Sequence, residues 1–77
     1  MTTASLPLMQ ADVGQRVRVV ALRGGVLLDR RMTEMGINIG AELTIHQREG
    51  GGVLVKRGET RFALGGGMAH KIMVEII

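Results

Sequence analysis

Few side chains in this 77-residue chain have the types that covalent or metal chemistry needs. There is no cysteine and no tyrosine, which removes thiol nucleophiles, disulfides and zinc–thiolate centres. Ser5 is the only serine, and a serine triad would require it to be ordered beside His46 or His70. Those two histidines have no closely spaced ligand beside them in the sequence. Each reads first as a solvent-facing imidazole. Weak transition-metal binding at His46 and His70, with carboxylate help, is the alternative role, and no other cofactor is implied. The glycine clusters do not make a phosphate loop. Gly24-Gly25 leads into Val-Leu-Leu, and Gly65-Gly66-Gly67 reaches Lys71 only at the start of a strand, whereas a phosphate loop needs Lys and Ser/Thr opening a helix. No catalytic residue is assigned, and the chain does not read as an enzyme.

The charged side chains suggest contact instead. Eight arginines and two lysines face seven acids, for a formal charge of +3. Arginine suits planar, bidentate contacts to carboxylate or phosphate. The acids interleave with the bases, so a solvated mixed surface is the first reading. Arg16, Arg18, Arg48, Arg57 and Arg61 could line one face of a small nucleic-acid-binding barrel. Stacking platforms are missing, because the single aromatic, Phe62, is assigned to the core. No nucleic-acid partner is expected, and that reading stands as the alternative together with a metal-sensing module.

The elements that must position these groups are short. Arg16 to Leu22, Glu42 to Arg48, Val53 to Arg57, Thr60 to Leu64 and Lys71 to Ile77 alternate in the manner of strands. Ile72, Val74 and Ile76 are expected on the buried face of the last. Val26 to Met35 is the one good helix, with Leu28, Met32 and Met35 in a single apolar stripe. Arg30 and Glu34 stand at i,i+4 on its outer side. Gly36 is placed as its C-terminal cap, and Gly40 closes the turn that follows. Met68-Ala69-His70 suits a single helical turn. Five short strands point to a mainly β, SH3-like barrel of about five strands, strongly bent and partly closed, with the helix inserted after the first strand. Residues 6–77 make one domain and 1–5 a flexible tail. No apolar run approaches a membrane span, and the protein is expected in the cytoplasm.

The block Arg31-Met32-Thr33-Glu34-Met35-Gly36-Ile37-Asn38-Ile39-Gly40 resembles the Arg-Leu-x-Glu-Leu-Gly-Leu/Ile-x-Pro-Gly signature of the FeoA family, small accessory proteins of bacterial ferrous-iron transport. Arg31, Glu34, Gly36 and Gly40 match it. Met32 and Met35 replace leucines, and Ile39 replaces the proline. Ala69, Ile72 and Val74 look like the family's closing Ala-x-x-Ile-x-Val.

The resemblance implies an SH3-like barrel. It also implies a non-catalytic role in ferrous-iron uptake, through docking on the cytoplasmic part of the membrane GTPase and permease FeoB. The protein would then stay outside the bilayer and meet the inner membrane only through that partner. Read from the residues themselves, the charged outer helix face beside flexible glycines sets the expected partner patch at Arg23, Arg30, Arg31, Glu34 and Asn38, and Arg31 and Glu34 have anchoring of nearby loops as their other role. Leu28, Met32, Met35, Gly36, Gly40 and Phe62 take structural roles. A small methionine-rich domain also leaves self-association open.

Overall fold

The structure, a computed structural model, describes residues 4–77. The expected tail therefore lies outside the described residues at positions 1–3; Ala4 and Ser5 are exposed and belong to no element. The chain runs β1 (Leu6–Pro7), a 3-10 turn (Leu8–Gln10), β2 (Arg16–Leu22), α1 (Gly25–Glu34), β3 (Glu42–Glu49), β4 (Gly52–Arg57), β5 (Thr60–Leu64), α2 (Gly66–Ala69) and β6 (Ile72–Ile76). All strand pairs are antiparallel, in the order β1-β6-β2-β3-β4-β5.

The expected barrel of about five strands, even partly closed, does not form. Six strands make one open sheet, and among the described residues no pairing joins β1 to β5. The added strand is β1, two residues long, which pairs through Leu6 with Val74 and through Pro7 with Met73. A strand that short, half of it a proline without an N–H donor, cannot carry a second ladder to β5. In place of a ladder, α2 lies against β4 and the Leu8–Gln10 turn.

Two irregularities bend the sheet. The β2–β6 register shifts between Val19 and Ala21, and the β3–β4 register shifts between Ile45 and Gln47. Each leaves one residue, Val20 and His46, without an opposite number, which kinks and twists the strand that carries it. The imperfect alternation of Arg16 to Leu22 has this cause: Val17 and Val19 are fully buried, whereas Ala21 and Leu22 are only half-buried.

The core is aliphatic and includes Leu8, Val17, Val19, Leu43, Ile45, Val55, Ile72 and Val74. No polar or charged side chain is buried among the described residues. Phe62 is half-buried against this core, opposite Val55, and is not part of its interior. Ile76, expected inside, is 39% exposed. It is the last residue of β6, where the strand leaves the core.

Helix α1 attaches to the sheet by the apolar stripe. Leu28 and Met32 are buried and Met35 is half-buried against the core. Full burial of one such side chain is worth about 1.5–3 kcal/mol. The helix stops at a Schellman motif. The Gly36 amide donates to the Thr33 carbonyl at 3.0 Å, and the Ile37 amide donates to the Met32 carbonyl at 2.8 Å. Gly36 takes φ of 72°, a left-handed conformation that a Cβ disfavours. Met32 and Ile37, the two residues this cap brings together, are both fully buried. The chain then returns to β2: the Gly40 amide donates to the Val19 carbonyl at 2.7 Å, and the Val19 amide to the Ala41 carbonyl at 2.9 Å.

Candidate partner-binding site

The five residues assigned to a partner patch are all exposed. Arg30, Arg31 and Glu34 stand on α1, and Asn38 lies in the turn beyond its cap. Arg23 precedes the helix, and its amide donates to the Lys71 carbonyl at 2.8 Å, which ties the entry of α1 to the start of β6. None of the five belongs to an ion pair among the described residues. Arg30 and Glu34 do not pair across the helix turn. Both are well hydrated, and base before acid is the weaker i,i+4 order.

The arginines expected along one sheet face are largely committed elsewhere. Arg18 lies opposite Glu42 on β3 and Glu75 on β6. It donates to Glu75 at 2.9 Å and approaches Glu42 at 3.5 Å, while Arg16 donates to Glu42 at 2.7 Å. The hydrogen bond to Glu75, with Glu42 adding to it, holds the Arg18 guanidinium above its ordinary pKa. Arg48 donates to the backbone carbonyls of Met9 and Ala11, so it fastens the Leu8–Gln10 turn to β3. The Arg57 guanidinium lies over Gly36, close enough that a Cβ there would come within 3.0 Å of it.

His46 and His70 are both exposed, the first at the bulge of β3 and the second just past α2. Among the described residues no three His, Asp or Glu side chains gather where they could hold a metal ion.

A groove of about 350 Å³ beside the start of α1 was not foreseen. Leu27, Leu28 and Met68 give it an apolar lining, and Arg31 and Lys71 bring positive charge to it. Of its residues, only Leu28 and Arg31 had been assigned a role from the sequence. One signal was available: Leu27 is a large apolar residue off the Leu28–Met32–Met35 stripe, so a helix docked by that stripe must expose it. Leu27 is 78% exposed and its neighbour Val26 is 73% exposed.

An antiparallel sheet with a helix spliced between its second and third strands defines a small, mainly β domain. The FeoA domain model matches residues 6–76, and the chain belongs to the FeoA family. A protein of Methanocaldococcus jannaschii that carries the provisional name Fe(2+) transport protein A is 38% identical over 69 residues, covering 90% of this chain and 84% of that one. Among solved structures, one described as iron uptake regulatory protein (FeoA) superposes with a TM-score of 0.86 at 28% identity, covering 96% of this chain and 99% of the other. A manganese-dependent transcriptional repressor superposes with a TM-score of 0.89 at 20% identity, over 100% of this chain but only 44% of its own. That second likeness is one of fold alone. Among the described residues no helix is long and apolar enough to cross a membrane.

Proposed function

We propose that this protein is a non-catalytic accessory factor of ferrous-iron uptake that works in the cytoplasm by docking on the cytoplasmic part of a FeoB-type membrane GTPase and permease. Membership of the FeoA family over residues 6–76 carries this reading. The relative named for Fe(2+) transport and the structure described as an iron uptake regulatory protein support it. The docking patch is the outer side of α1 and its exit, formed by Arg30, Arg31, Glu34 and Asn38, with Arg23 beside them. These side chains are exposed and take no ion pair within the described chain, so a partner's acids can meet them without first breaking an internal contact.

A pull-down on the cytoplasmic portion of the GTPase–permease tests the reading. The wild-type protein is expected to be retained. The double charge reversal Arg30→Glu with Arg31→Glu is expected to lower retention about tenfold while the fold persists. If the wild-type protein is not retained, and its deletion leaves ferrous-iron uptake unchanged, the reading fails. Undiminished retention of the folded double variant would move the patch elsewhere on the surface.

A further inference from the structure

We infer that the groove beside the start of α1 seats a short acidic–apolar segment of a partner protein: one apolar side chain on the groove lining, with carboxylates on either side meeting Arg31 and Lys71. The inference deepens the contact reading above and rests on it.

Three observations support it. First, the groove is apolar where a side chain would enter, with Leu28 and Met68 behind and Leu27 standing 78% exposed at its border. A large aliphatic side chain left that open on a helix whose own core contacts are already made has nothing among the described residues to cover it. Second, the groove lining carries two cations and no acid, against a formal excess of +3 for the whole chain. Neither Arg31 nor Lys71 belongs to an ion pair among the described residues, whereas Arg16 and Arg18 on the sheet have acidic partners. Charge left without a partner at the border of an apolar cleft is complementary to an acidic ligand. Third, the groove is tethered where α1 begins. The Arg23 amide bonded to the Lys71 carbonyl fixes the entry of α1 against β6, and Gly24 lies so close to Leu28 that a Cβ there would come within 2.5 Å of that side chain. A cleft so fixed loses little ordering entropy on binding.

A protein segment fits better than an anionic membrane. Asp29 and Glu34 are exposed on the same helix as Arg31, and a flat negative surface would bring them against like charge. A short segment confined to the groove avoids both.

Titration of the isotopically labelled full chain by NMR tests this. The probe is a short synthetic peptide alternating Leu and Glu, and its control replaces every Glu with Gln. Shifts on adding the Leu–Glu peptide should concentrate at Gly24–Arg31 and Met68–Ile72. Binding should weaken as salt is raised. The Gln control, the Leu27→Ser variant and the Arg31→Glu/Lys71→Glu double variant should each bind at least about tenfold more weakly. The substituted positions Leu27, Arg31 and Lys71 are all exposed, and a spectrum with unchanged dispersion will show that each variant folds.

Equal affinity for the Gln control, or shifts centred elsewhere, would overturn the inference. So would the same shifts with anionic phospholipid vesicles, or with rising protein concentration and no peptide. Retention of both groove variants on the GTPase–permease at wild-type level would overturn the groove and leave the wider reading standing. Groove-centred peptide binding by a protein that the GTPase–permease does not retain would do the reverse.

Discussion

The polar face of the β2–β3–β6 sheet and the surface around α1 use the same residue types to different ends. On the sheet, Arg16 and Arg18 lie among Glu42 and Glu75 at distances of 2.7 to 3.5 Å, set by strand register. Around α1, Arg23, Arg30, Arg31 and Lys71 take no acidic partner among the described residues. Charge on the sheet is neutralised by residues that the fold brings opposite one another. Charge around the helix is left to solvent and to whatever docks there. A net charge of +3 would not by itself reveal this division, because it depends on who stands next to whom.

The contrast breaks most completely if the helix loses its hold on the sheet. Met32 is fully buried, so Met32→Ala should cost about 2–5 kcal/mol in urea unfolding. That is a large fraction of what a domain this small has. A loss below about 1 kcal/mol would mean that α1 is not held by its stripe. Gly36→Ala should cost less, about 1–2 kcal/mol, because φ of 72° disfavours a Cβ and the Arg57 guanidinium stands 3.0 Å from where that atom would be. An unchanged midpoint would show that the cap relaxes into another geometry. The smallest effect sharpens the comparison most. Arg18→Gln should lower the urea midpoint slightly at low salt, and the loss should vanish near about 1 M salt, where charges are screened within about 3 Å. Arg31→Gln should leave the midpoint alone at both salt concentrations. Matching salt responses of the two variants would erase the distinction between the regions.

Local pattern was legible and long-range closure was not. Alternation located β2 and β5 at their observed bounds, and the i, i+4, i+7 stripe located α1 to within one residue at each end. The cap at Gly36 followed from a glycine after the last periodic residue. β1 was invisible as a strand because its pairing joins Leu6 to Val74 across almost the whole chain and involves two residues only. The two bulges were equally hidden, since an extra residue in a ladder shows only when the partner strand is known. Without them and β1, five strands suggested a partly closed barrel where an open sheet forms. At the site, the exposure of the helix arginines was readable from their place off the stripe. The groove was not, because Met68 and Lys71 reach it from the far end of the sequence.

The two triple-glycine runs meet in space. A Cβ on Gly66 would fall 2.2 Å from the Gly51 carbonyl oxygen, and one on Gly52 would fall 2.6 Å from the carbonyl of Leu64. The obstacles are main-chain atoms, which cannot rotate aside as a side chain would. Every other amino acid carries that atom, so a side chain at either position is blocked unless the loops themselves change course. Substitution in one run is thereby felt as a displacement of the chain at the other.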